Sequence, residues 1–159
     1  GRVLRSGAEK VVIGTAAVET PDLIEKSSNV FGRQSIVVSI DYKKGRFGNR
    51  RVYIHSGQKR TNVDPVAMAT EMAERGAGEL IVTAISNEGL GKGLDLEFLS
   101  QIAKNVTIPV IGGGGVGSIE DIVEGVSGYG LSAVAVGSLF TFTGPHRSVL
   151  INYPVIPSF

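Results

Sequence analysis

Apolar positions along this chain form short unbroken runs rather than an alternating or helical pattern. "VVIG" within "RSGAEKVVIG", "ELIVTA" at 79 to 84 and "AVAVGS" at 133 to 138 each follow a glycine-bearing stop, and "SIVVSI" (35 to 40) and "TIPVIG" (107 to 112) have the same uninterrupted character. Runs of this kind are expected of strands buried on both faces, which predicts a parallel sheet covered by helices. Helix starts fall between the runs. Thr20 and Pro21 precede "DLIEKSSNVF", Asp64 and Pro65 precede "VAMATEMAER", and Ser118 stands three residues before Asp121 ahead of "IVEGV". These are N-cap, N1-proline and capping-box signatures. One interruption follows Ile40, where "DYKKGRFGNRRVYIHSGQKRTN" predicts a β-hairpin inserted after the strand that ends at Asp41.

The order is thus βα repeated five times. Five units fit either an open doubly wound sheet or the later part of a (βα)8 barrel. The opening "GRVLRSGA" reads as the tail of a helix without its own strand, which favours the barrel. The stretch "IPVIGGGGVGSIED" (108 to 121) places four glycines between a strand and a helix. Two readings fit it: a phosphate cradle, since glycine lets backbone N–H groups approach an anion, or a tight glycine-rich turn.

Composition narrows the class. With 159 residues, 42% of them hydrophobic, the chain is long enough to bury a core as a single domain. A formal charge of +1 gives no global attraction to nucleic acid or membrane, so electrostatic function must be local. The absence of cysteine removes thiol nucleophiles, disulfides and thiolate metal sites. No apolar run approaches the roughly 20 residues of a membrane helix, and the first ten residues lack a signal-peptide core, so a cytoplasmic protein is expected.

"GAEKVVIGTAAVETPDLI", the "VVSID" strand end, the hairpin with "HSGQK", "ERGAGELIVTAI" and "IPVIGGGGVGSIED" together resemble the cyclase subunit of imidazole glycerol-phosphate synthase, in matching order. The resemblance spans nearly the whole chain but only the fourth to eighth strands of that family's barrel. It implies a single partial TIM-barrel domain over 1–159. It further implies an ammonia-using cyclase or synthase fed by a partner glutaminase and acting on a phosphorylated substrate, with no cofactor and no metal.

By the same resemblance Asp41 is one of the family's two general acid/base aspartates, with a turn aspartate as the plainer reading; the other belongs to the first strand, which this chain does not contain. Gly89, Gly114, Gly115, Val116, Gly137, Ser138 and Thr15 are expected at phosphate. The loops after the last two strands of such barrels commonly form a phosphate site, here with a helix opening at Ser118 nearby. Lys10 and Glu79 match a ring of charges at an ammonia entrance, and Glu9 matches an acid facing the glutaminase. All three read equally as solvated charges capping strand starts.

Some positions depart from the family pattern. Ser86, Asn87, Glu88, Gly89 and Leu90 stand where the cyclases have Asp-Arg-Asp-Gly-Thr, and Gly14 replaces an asparagine, although Thr15 is kept. The C-terminal "GPHRSVLINYP" is similar to a paralogous branch that helps convert a sugar substituent of surface polysaccharides into an amidine, and the reading leans to that branch. The basic "KKGRFGNRR" suits single-stranded nucleic acid by charge and stacking, but a mobile hairpin closing over an anionic substrate is preferred. His55 and Ser56, as adjacent strand residues on opposite faces, are not expected to form a nucleophile and base pair. His146 and His55 are too few for a metal cluster. The alternative to an enzyme is a non-catalytic phosphate-binding half-barrel. Either way, uncovered edges and interior predict self-association, or pairing with a chain that supplies the first three strands.

Overall fold

The computed structural model describes residues 2–143 and 148–149. Five parallel strands, β1 (Val11–Ile13), β2 (Ile36–Lys44), β5 (Glu79–Ala84), β6 (Val110–Gly113) and β7 (Ala133–Ala135), lie side by side in chain order. The order has no reversal, so the sheet lacks the switch point of a doubly wound fold. It is an α/β fold with a parallel sheet, as the chain's five apolar runs predict.

Strand β2 does not end at Asp41. It continues to Lys44 and pairs antiparallel with β3 (Arg50–Ile54), which in turn pairs with β4 (Lys59–Arg60). The strands β1 and β3 therefore share one edge of β2: β1 takes Ile36 to Val38, and β3 takes Asp41 to Lys44. Asp41 stands just where that neighbour changes.

The helices are α1 (Arg2–Arg5), α2 (Thr15–Glu19), α3 (Asp22–Phe31), α4 (Pro65–Glu74), α5 (Leu96–Asn105) and α6 (Ile119–Val123), the last running on as a π-helical stretch, Glu124–Gly128. Two of the three predicted starts are capped as the sequence indicates. Asp64 accepts hydrogen bonds from the Val66 and Ala67 amides, and Ser118 and Asp121 cap each other reciprocally. At α3 the Thr20 side chain caps nothing; Pro21 is the N-cap residue, and the Thr20 carbonyl accepts from Leu23. The sequence reading marks no start for α2 or α5. The residue before α5, Asp95, gives its carboxylate to Arg50 and Tyr42 instead of the helix amides, so no capping signal survives there.

The apolar runs mislead in one respect. One face of the sheet, formed by Ile36, Val38, Ile40 and Tyr42 of β2 and Leu80, Val82 and Ala84 of β5, is buried with Ile24 of α3, Met68 and Met72 of α4, and Leu99 and Ile102 of α5. The opposite face is not covered in this way. On it Val37 is buried, but Ser39, Asp41, Ile81, Thr83, Ile111 and Ala133 are half-buried, and Val12 and Ala135 are exposed. Registers align these residues in rows, Ser39–Ile81–Ile111–Ala133 and then Asp41–Thr83–Gly113–Ala135 nearer the strand ends. Burial on both faces, which the unbroken runs predict, is therefore corrected to burial on one.

Candidate functional site

The C-terminal ends of the parallel strands carry the candidate chemistry. Between the segments that follow β5, β6 and β7 lies a cavity of about 340 Å³ lined by Glu88, Gly89, Gly114, Gly115, Val116, Gly137 and Ser138, with Thr141 and Phe142 beside them. The structure thus brings six of the seven expected phosphate residues to one place. The backbone N–H groups of Gly114, Gly115, Val116, Gly137 and Ser138 donate no hydrogen bond to any other described residue. An anion offers acceptors to groups of this kind.

The glycines have a steric reason to be there. Gly114 and Gly115 adopt φ of 89° and 106°. A Cβ on Gly114 would collide with the Ala84 carbonyl oxygen, and one on Gly115 with that of Gly93. The Gly93 amide also donates to the Gly115 carbonyl at 2.8 Å. The loop therefore has a backbone seam on one side, as the tight-turn reading expects, and amides with no described partner on the other. The helix after it contributes less than expected. Asp121 accepts from the Gly117 and Ser118 amides at 2.8 and 3.1 Å, so α6 already holds a carboxylate at its start.

Asp41 lines a neighbouring cavity of about 410 Å³ with Lys43, Ser56, Gly57, Ile85 and Glu88. Partial burial pushes its carboxyl above the ordinary aspartate range; a hydrogen bond from the Ser39 hydroxyl at 3.4 Å opposes this, and the nearby Glu88 charge adds to it. Glu88 borders both cavities, which the sequence reading missed. The available signal was its place beside Gly89, inside the segment that departs from the cyclase pattern.

Other expected residues lie elsewhere. Thr15 opens α2 after β1, outside the glycine cavity, and its hydroxyl accepts from the His55 amide at 2.9 Å. Lys10 and Glu79 form an ion pair at the N-terminal ends of β1 and β5, opposite Asp41, and Glu9 is exposed beside them. His55 and Ser56 are not strand residues. They follow β3 in a turn with φ of 54° and 55°, and His55 approaches Glu19 at 3.2 Å. Their separation from nucleophile chemistry thus rests on turn geometry, not on strand alternation.

The base of the basic hairpin is tied to α5 and the residue before it. Arg50 bonds both oxygens of Asp95 at 2.8 and 2.9 Å and stacks 4.1 Å above the Phe98 ring, while Phe47 at the tip is 93% exposed. His146 and nearly all of "GPHRSVLINYP" lie outside the described residues. Among the described residues no cluster of three or more histidine, aspartate or glutamate side chains is placed to hold a metal ion, and no helix is long and apolar enough to cross a membrane.

Comparison with known proteins identifies the family. The histidine biosynthesis protein family matches residues 1–146, and the chain belongs to it. It is 44% identical over 137 residues to imidazole glycerol phosphate synthase subunit HisF of Symbiobacterium thermophilum, covering 86% of this chain and 54% of that protein. A Pseudomonas aeruginosa protein provisionally named imidazole glycerol phosphate synthase subunit hisF2 is 42% identical over 153 residues, and a Leptospira interrogans protein provisionally named as the HisF subunit is 38% identical over 154. Each of these two alignments covers 96% of this chain and 61% of the relative, so the chain spans about three-fifths of their length.

Proposed function

We propose that this chain forms the last five βα units of a HisF-like (βα)8 barrel, with the β2–β3 hairpin inserted beside Asp41. In this reading the complete protein is the cyclase or synthase subunit of a glutamine amidotransferase pair and uses ammonia from a partner glutaminase on a phosphorylated small molecule. Asp41 acts as general acid/base, its carboxyl raised by burial toward working pH. The glycine cavity holds the substrate phosphate through backbone amides. The Lys10–Glu79 pair borders the ammonia entrance at the opposite end of the sheet, and Glu9 faces the glutaminase. The five-stranded piece alone is inactive, because the partner aspartate of the first strand is not in it. The departures at Ser86 to Leu90, and the "GPHRSVLINYP" tail, favour a substrate of the polysaccharide-amidination branch over the histidine-pathway one, in a cytoplasmic enzyme.

The observation that carries this reading is the gathering of Gly89, Gly114, Gly115, Val116, Gly137 and Ser138 around one cavity, with five amides that bond to no other described residue. Gly137 gives the cleaner test. Its φ of −115° suits any residue, and a Cβ there meets nothing within 4 Å, whereas a side chain at Gly115 would break the loop itself. Gly137→Val should weaken inorganic phosphate at this cavity at least tenfold, about 1.4 kcal/mol, in a calorimetric titration of the folded variant. Unchanged affinity there would remove the phosphate site.

The uncovered sheet face supports one further element of the reading. Half-buried apolar side chains on that face, and the edges of β1 and β7, which pair with no further strand among the described residues, favour association with a second copy or with a chain that supplies the remaining strands.

A further inference from the structure

A second cavity at the same end of the sheet shares no lining residue with the glycine cavity. It measures about 220 Å³ and lies between the hairpin and the segment after β5, with Tyr42 and Lys44 from one side and Ser86, Asn87, Lys92 and Asp95 from the other. Its charges do not cancel. Asp95 is already satisfied: Arg50 binds both of its oxygens, and the Tyr42 hydroxyl donates to one of them at 3.2 Å. Burial first, and then the Asp95 charge, push the Tyr42 phenol upward, so it remains a donor to Asp95. The side chains of Lys44 and Lys92, in contrast, make no ion pair or hydrogen bond with any described residue. Two lysines from separate walls thus line a small polar space together with a serine and an asparagine. Ligand pockets for drug-sized molecules begin near 300 Å³, and this one is smaller, which suits a compact ion.

We propose that this cavity binds a compact oxyanion of the phosphate class, held between Lys44 and Lys92 with Ser86 and Asn87 as neutral donors. The ion bridges the hairpin to the loop after β5. That loop is the one whose Gly93 amide bonds Gly115 on its far side, so the ion steadies a wall of the glycine cavity without entering it.

The test uses the Gly137→Val chain, in which the glycine cavity is obstructed, and inorganic phosphate as the probe. Calorimetry should still detect phosphate binding, and adding Lys44→Gln with Lys92→Gln should weaken it at least tenfold. Both lysines are exposed, so circular dichroism should show the fold unchanged. In amide NMR spectra of the Gly137→Val chain, Ser86, Asn87 and Gly93 should shift on titration. No phosphate binding by Gly137→Val, or equal binding with and without the two lysines, overturns the proposal.

Discussion

The two faces of the sheet are built from the same strands, yet they are buried differently. The face of Ile36, Val38, Ile40, Leu80 and Val82 is sealed by α3, α4 and α5, and its side chains have no solvent exposure. The face of Ser39, Asp41, Ile81 and Thr83 is left half-open, and Asp41, whose carboxyl is raised above the ordinary aspartate range, stands there. Burial that is complete stabilises the sheet; burial that is partial raises an acid without silencing it. Adjacent residues on one strand therefore divide the labour.

The largest expected effect tests the sealed face. Leu80→Ala should cost about 2–5 kcal/mol in urea unfolding, as deletion of fully buried side-chain atoms does. The neighbouring Ile81→Ala, on the half-open face, should cost less than half as much. Equal losses would mean that both faces are packed alike, and the contrast would fail.

Asp41→Asn addresses the open face. In the full-length protein supplied with ammonia it should lower turnover at least 10²-fold, about 2.7 kcal/mol, while the fold and phosphate binding persist. Near-normal turnover would leave Asp41 as a residue of the hairpin junction.

Association comes next. Light scattering at micromolar concentration should give a particle of at least twice 16.7 kDa. A monodisperse species near 16.7 kDa would show that the half-open face needs no partner.

The smallest effect is on stability against pH. The Asp41 carboxyl is raised in the folded chain, so its favourable contribution is present below the unfolded aspartate value, about 3.9, and is lost as pH rises through the folded value. At neutral pH the ionised group is therefore a burden. Asp41→Asn should melt slightly above the parent at pH 7, and the gap should close near pH 3. A gap that widens on acidification would reverse the assigned direction.

Much of this was readable from the chain, for identifiable reasons. Strand order and the caps at Asp64 and Ser118 follow from local pattern, and local pattern suffices for them. The gathering of Gly89 with Gly114 and Ser138 was legible through the family resemblance. What escaped was long-range. Arg50 and Asp95 are 45 positions apart, and nothing beside either residue announces the pair that empties the α5 cap. Glu88 joins two cavities because of where β2 and β6 lie, not because of its neighbours in sequence. Within the apolar runs of β2 and β5 the open face is marked by Ser39, Asp41 and Thr83, too few polar residues to break the runs into an alternating pattern.

The seam where Gly115 meets Gly93 and Gly117 meets Gly91 constrains how this protein can change by mutation. Any replacement of glycine adds a Cβ, and at 115 and 117 the atom nearest to it is a backbone carbonyl oxygen, that of Gly93 or Gly91. Single-step variation is therefore shut out of the seam and diverted to the residues that flank it. Glu88, Leu90 and Lys92 on one loop and Gly137 and Ser138 on another remain open to change, because their added or altered atoms have somewhere to go. Variation that preserves the fold would reach these positions first and leave Gly115 and Gly117 untouched.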